Sequence, residues 1–264
     1  MVPEIVIPHY GISSSTPQPQ TRNGVRQRYL SGYNPMNAIK KEEIRVMVFQ
    51  HTPAEPLGYF EDIFAEGDIS YECIRLWDND PFISRSATHL IFLGGPMSVN
   101  DEGKFPWLKE EKRLIRQAVK KRMPVLGLCL GAQLIASSHG AAVYKYIQET
   151  GWCPVHPSGD CRGVFTSFPN PFYVFQMHGE TFHLPVGAKL QCRGDHVPHQ
   201  AFRLGSALGL QFHLEMTEPL ILDWTSGERN FLKEKIYRDT KFHLERSNQL
   251  CRQVATEFLY KKFR

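Results

Sequence analysis

Three short segments carry residue types that could do chemistry together. Gly127-Leu128-Cys129-Leu130-Gly131 has the spacing of a nucleophile elbow, with a thiol where the commoner G-x-S-x-G form has a hydroxyl. A tight turn between strand and helix pushes the central residue off the strand end, and the flanking glycines let the backbone pass without a Cβ clash. The following helix aims its N-terminal N–H groups at the sulfur, which favours thiolate over thiol. A thiolate nucleophile needs a base, and the base needs an orienter. Gln211-Phe212-His213-Leu214-Glu215 offers both. Residues i and i+2 share one face of a strand. Glu215 can therefore accept the Nδ1–H of His213 and leave Nε2 facing the sulfur. The third segment, Gly94-Gly95-Pro96, could bring a backbone N–H close to a developing oxyanion. Its donors would be the N–H groups of Gly95 and of Leu130, the residue after the nucleophile.

The surrounding pattern must place these segments at one edge. Ile44 to Phe49, Tyr71 to Leu76, His89 to Leu93 and Pro124 to Leu128 read as strands. Leu57 to Ala65, Trp107 to Arg122 and the segment opening at Gly131 read as helices between and after them. Alternation of this kind predicts an α/β fold with a mainly parallel central sheet flanked by helices. The second half is strand-rich, with candidates at Tyr173 to Met177, Ala188 to Cys192, His199 to Arg203 and Leu208 to Phe212. A charged helix is expected from Thr240 to Phe263. Sites in open α/β sheets form at the carboxyl ends of strands, where Gly94, Cys129 and His213 would all lie.

Taken together, Gly127-Leu128-Cys129-Leu130-Gly131-Ala132-Gln133, Gln211-Phe212-His213-Leu214-Glu215 and Gly94-Gly95-Pro96 resemble a class I glutamine amidotransferase. More narrowly, the chain is similar to free-standing proteins like the amidotransferase domain of GMP synthase. Gly151-Trp152, the stretch from Met177 to Ala188 and Gln200-Ala201-Phe202-Arg203 fit that narrower group. The resemblance runs from about Arg45 to Trp224. It implies flavodoxin-like layering, a Cys129-His213-Glu215 triad and hydrolysis of a glutamine amide through a glutamyl thioester. It also implies that Gly94, Gln133, Met177 and His178 help to hold the glutamine. Two positions depart from the family: Glu180 stands where such proteins often have Asp, and Leu214 where many have Pro.

Composition bounds the rest. The 264 residues are 42% hydrophobic and 22% charged, enough apolar content for a folded core. A net charge of +4, from 31 basic and 27 acidic residues, is too small and dispersed to point to nucleic acid. No apolar run reaches a membrane span and no secretory signal is visible, so a cytoplasmic protein is expected. Six irregularly spaced cysteines, with no CxxC pair, read as free thiols. His178, His183, His196 and His199 are too irregular for a zinc site. Neither a phosphate-binding G-x-x-x-x-G-K-[ST] loop nor G-x-G-x-x-G occurs, and no cofactor is expected. Tyr144 and Tyr146 read as core aromatics. Residues 1–43 differ: no Asp or Glu occurs from Ile5 to Lys41, and Ser13 to Gln20 is polar without periodicity. That stretch reads as a disordered or loosely attached extension, followed by one amidotransferase-like domain over 44–264. Its prolines spoil the amphipathic helix of an organelle transit peptide.

The expected substrate is glutamine or another γ-glutamyl compound, with ammonia passed to a separate synthetase. Two alternatives stand beside it. A γ-glutamyl peptidase would use the same thioester and a different leaving group. A non-catalytic regulatory subunit would keep the fold without the reaction.

Overall fold

The computed structural model of the chain describes residues 44–78 and 87–260. The expected N-terminal extension over 1–43 lies outside them. Among the described residues one nine-stranded sheet forms from β1 (Arg45–Gln50), β2 (Ser70–Arg75), β3 (His89–Phe92), β4 (Val125–Leu128), β5 (Val143–Pro157), β6 (Phe172–Phe182), β7 (Lys189–Gly194), β8 (Ala201–Leu204) and β9 (Ala207–Leu210). The α-helices are α1 (Tyr59–Gly67), α2 (Trp107–Lys120), α3 (Leu130–Ser138), α4 (Glu218–Trp224) and α5 (Asn230–Tyr260).

Strand order across the sheet is β2-β1-β3-β4-β9-β8-β7-β5-β6. From β2 to β9 the neighbours run parallel. From β9 to β6 every pairing is antiparallel. The sheet is therefore mixed, which corrects the expectation of a mainly parallel one. At β8 and β9 the cause is connection length. Parallel neighbours need a crossover of a dozen or more residues, whereas antiparallel strands can share a tight turn. Only Gly205 and Ser206 join β8 to β9, with Gly205 at φ 57°. A two-residue link can only reverse the chain.

Both faces of the parallel half are covered. Val46 and Val48 of β1 pack with Phe60 and Phe64 of α1 and with Leu250, Val254 and Phe258 of α5. Met47 and Phe49, pointing the other way, pack with Leu108 and Ile115 of α2 and Leu134 and Ile135 of α3. Two-sided burial is why β1, β3 and β4 read as continuous apolar runs. Each large apolar side chain so buried contributes about 1.5–3 kcal/mol. The strands thus hold their carboxyl ends in fixed register.

Three elements differ from expectation. β5 was not expected, because polar residues from Lys145 to Thr150 interrupt its apolar pattern. It bulges against β6 between Lys145 and Glu149. Tyr146, expected in the core, is instead exposed on this strand. Second, α5 begins at Asn230 rather than Thr240, and its early turns leave Phe231 and Tyr237 exposed. Third, the short α4 follows Thr217, whose hydroxyl accepts the Leu220 N–H at 3.4 Å, with a proline in its first turn. Among the described residues no helix is long and apolar enough to cross a membrane.

Candidate active site

The elbow has the backbone that its glycines require. Cys129 follows β4 directly, and its N–H donates to Leu210 O of β9 at 2.7 Å. It is the N-cap of α3 at φ 48°, ψ −102°. A positive φ is uncommon outside glycine and stores local strain. A Cβ on Gly127 would strike the Gly131 carbonyl, and one on Gly131 would strike the Phe92 carbonyl. Two glycines thus let β3, β4 and α3 meet under the sulfur. The N–H of Leu130, at the first position of α3, has no intrahelical acceptor by geometry.

Beyond β9 the chain bends at Gln211-Phe212 and again at Leu214-Glu215 instead of continuing the strand expected to Phe212, and His213 between them forms an isolated bridge to Phe175. The His213 N–H donates to Phe175 O at 2.9 Å, tying this segment to β6. His213 Nδ1 lies 2.5 Å from Glu215 Oε1, with both side chains almost wholly buried. The ring also lies close enough to Cys129 for the thiol to act on its charge. Burial opposes charge on the ring, but Glu215 and Cys129 hold the His213 imidazolium well above the usual range. The structure therefore brings Cys129, His213 and Glu215 together as the residue pattern suggests. Gln211, quoted in the motif without a role, places Nε2 3.7 Å from Cys129 Sγ. The Trp224 ring meets His213 edge-on, with centroids 4.9 Å apart.

Gly94 and Gly95 follow β3 and close the other side. A Cβ on Gly94 would collide with the Glu55 carboxylate and approach His213 Cε1 to 3.3 Å. Glu55 is thus a second carboxylate beside the imidazole, which no motif indicated. Burial pushes its carboxyl up, against the pull of His213 and His51. His51, just past β1, sets Nδ1 2.9 Å from Gly94 O and Nε2 2.9 Å from Glu111 Oε1. Both His51 and Glu55 lie beyond the carboxyl end of a strand, the position at which α/β sites form, and that was the available signal.

A cavity of about 690 Å³ opens onto Cys129. Gly95, Gln133, Met177 and His178 line it, as do Asp101, Lys145, Gln148 and Glu180. The Gln133 amide donates to Glu180 O at 3.2 Å and Gln211 Oε1 at 3.4 Å, so this side chain braces the wall. His178 is buried 3.1 Å from Glu149, which accepts from the Gln200 amide at 2.8 Å. His199 Nδ1 lies 2.7 Å from Phe182 O, and His183 packs on Tyr144. Among the described residues no three His, Cys, Asp or Glu side chains converge on a metal position. All six cysteines are free thiols. Leu214, at the departure from the family pattern, is buried in the core.

The chain's likeness to known proteins agrees with this geometry. It is 32% identical over 135 residues to the glutamine amidotransferase-like protein YfeJ of Salmonella typhimurium, covering 48% of this chain and 56% of YfeJ. It is 32% identical over 131 residues to a glutamine-hydrolyzing GMP synthase of Bacillus licheniformis, covering 48% of this chain and 24% of that enzyme. The alignments therefore span about half or less of these curated relatives. The crystal structure of a glutamine amidotransferase from Thermotoga maritima superposes with a TM-score of 0.76 at 31% identity, covering 82% of this chain and 98% of that one. The family model for Glutamine amidotransferase class-I matches residues 64–220, a span that holds Gly94, Gly95, Cys129, His213 and Glu215, and the chain belongs to that family.

Proposed function

We propose that this chain is a cysteine-dependent amidase acting on the γ-amide of glutamine or of another γ-glutamyl compound. The observation that carries the reading is Cys129 at the start of α3, beside a His213 that Glu215 holds, on the lining of a cavity. The sulfur attacks the γ-carbonyl carbon and an S–C bond forms. The attacking group is the thiolate, its proton already held on the His213 imidazolium. The N–H groups of Gly95 and Leu130 receive the oxyanion. His213 then gives its proton to the departing nitrogen, the C–N bond breaks, and ammonia leaves a glutamyl thioester. Water, deprotonated by His213, opens the thioester and frees glutamate. Glu215 orients the ring and stabilises its cation. Gln133, Met177 and His178, on the cavity wall, would help to hold the glutamine, whereas Gly94 lies behind the wall, against Glu55 and His213.

Ammonia released here would pass to a separate synthetase, a proposal supported by the glutamine-hydrolyzing GMP synthase relatives. A second reading, γ-glutamyl peptidase, is favoured by the size and lining of the cavity. At about 690 Å³, with Asp101, Lys145 and Glu180 on its walls, it has the volume of sites that take ligands larger than one amino acid.

A substrate panel tests both readings. Purified protein is given glutamine, γ-glutamyl dipeptides and glutathione-like conjugates, and glutamate release is measured. Mass spectrometry of protein quenched during turnover should find a glutamyl adduct on the peptide holding Cys129. An adduct on another cysteine, or glutamate release undiminished in Cys129→Ser, would refute the mechanism.

A further inference from the structure

The buried pair of His51 and Glu111 has no part in the chemistry just described. Neither side chain has any solvent exposure. They come from separate elements, one from the turn after β1 and the other from α2. Trp107, one turn before Glu111 on α2, packs its ring 5.4 Å from the His51 ring. Burying an ionisable pair is a weak way to gain stability, since apolar residues of similar volume often serve as well or better. The pair therefore calls for a reason other than packing.

That reason lies at Gly94. Its carbonyl can only accept, so the His51 Nδ1 that meets it at 2.9 Å must carry hydrogen. Nε2 faces the Glu111 carboxyl at 2.9 Å. One proton is shared across that second contact. Burial works against charge on both groups, and their mutual attraction opposes it. Wherever that proton sits, Nδ1–H still donates to Gly94. Glu111 thus fixes both the ring's orientation and its tautomer.

In a trans peptide the N–H points opposite to the preceding C=O. Drawing the Gly94 carbonyl toward His51 turns the Gly95 N–H the other way. Gly95 lies between His51 and the helix that starts at Leu130. A Cβ there would come within 2.9 Å of His51 Cβ and 2.8 Å of Leu130 Cδ2. With no Cβ on either side of it, the Gly94–Gly95 peptide is held in one orientation only in part by its own torsions, Pro96 limiting those of Gly95, so an outside anchor matters. We propose that the Glu111–His51 pair is a positioning device: it anchors the Gly94 carbonyl so that the Gly95 N–H stays aimed at the oxyanion formed over Cys129. The inference rests on the amidase reading above. His51 and Glu111 are positioning residues and touch no reacting atom.

The test separates oxyanion support from thiol reactivity. Two rates are measured: glutamate release from the best γ-glutamyl substrate, and alkylation of Cys129 by iodoacetamide, a displacement in which no oxyanion develops. In the double variant His51→Leu, Glu111→Leu, kcat should fall roughly 10–100-fold, up to the lower end of what loss of an oxyanion donor costs, with KM little changed. Alkylation should stay within about three-fold of wild type, because the Cys129–His213 contact is untouched. A second pair of variants needs no apolar replacement. His51→Asn puts an amide N–H near the place of Nδ1 and should retain most of kcat. His51→Gln puts it near the place of Nε2, facing Glu111, and should behave like the double variant. Unchanged kcat in the double variant overturns the inference. So does an equal fall in both rates, or His51→Gln outperforming His51→Asn. Should the double variant not fold, the Asn and Gln pair decides alone. Wild-type protein that releases no glutamate from any γ-glutamyl substrate overturns the amidase reading itself, and this inference with it. Active wild type with unaffected variants overturns the inference only.

Discussion

The two halves of the sheet meet at β9 and differ in what they ask of their side chains. The parallel half, β2 to β9, ends in turns whose backbone is tightly specified. Cys129 sits at positive φ, two glycines are packed against carbonyls, and Gly94 lies against both Glu55 and His213. The antiparallel half, β9 to β6, contributes a wall. Lys145, Tyr146 and Gln148 of β5 and Met177 to Glu180 of β6 line the cavity, several of them well exposed. One half fixes reacting groups in place, and the other presents replaceable side chains to whatever enters. In this reading chemistry belongs to the first and substrate choice to the second.

The largest expected effect tests the first half. Cys129→Ser should fold normally and lose at least ~10³-fold in kcat, because a serine hydroxyl is far less ionised than a thiol. His213→Ala should cost about 10²–10⁴-fold, the usual range for a general acid–base group. Glu215→Gln should cost less, since its amide oxygen can still accept the Nδ1–H. Steady-state kinetics on proteins of matched melting temperature reads all three, and a Glu215→Gln more damaged than His213→Ala would break the assignment of roles.

Glycine substitutions compare the halves directly. Gly131→Ala drives a methyl into the Phe92 carbonyl and should destabilise by about 3 kcal/mol or more. Gly179→Ala meets only the end of the Gln148 side chain, at 3.2 Å, and should stay within about 1 kcal/mol of wild type. Urea denaturation of the two variants measures the contrast. Equal losses would show that the wall is as tightly built as the elbow.

The pH dependence of stability sharpens the same point. His213 in the folded protein titrates well above 6.5, its ordinary value in an unfolded chain. Its contribution to stability is complete below pH 6.5 and is lost as pH rises through the folded value. The melting temperature should therefore decline above pH 6.5, and His213→Gln should reduce that decline. A decline of unchanged slope in the variant would mean that the ring gains no proton affinity on folding.

The smallest effects are expected in the wall. Lys145→Ala should change KM by about 5–10-fold while kcat stays within about two-fold, the signature of lost uniform binding. The change should be greater for γ-glutamyl conjugates than for glutamine. A kcat collapse in Lys145→Ala would put chemistry in the antiparallel half and end the comparison.

The same contrast explains which parts were legible in the residues alone. The elbow could be read because a strained turn permits few residue types, and Gly127, Cys129 and Gly131 have the spacing it demands. β1, β3 and β4 could be read because burial on both faces leaves an unbroken apolar run. β5 could not, since Lys145, Gln148 and Glu149 face a cavity or a buried polar network rather than apolar neighbours. Strand direction was also hidden, because local periodicity is the same for parallel and antiparallel pairing. The early turns of α5 escaped because Phe231 and Tyr237 point outward, so no apolar stripe marks the start. His51 and Glu55 look like ordinary loop residues until the fold sets them beside Gly94.

The edge-on contact between Trp224 and His213 also gives the site an optical reporter. Trp107 lies tilted beside His51, Trp152 neighbours His243 and Trp77 is partly exposed. A protonated imidazole close to an indole accepts its excited electron and quenches its emission. With the other three tryptophans replaced by phenylalanine, fluorescence from Trp224 would follow the charge on His213 in real time. The proton transfer proposed between sulfur and departing nitrogen could then be watched through light, without labels and within a single turnover.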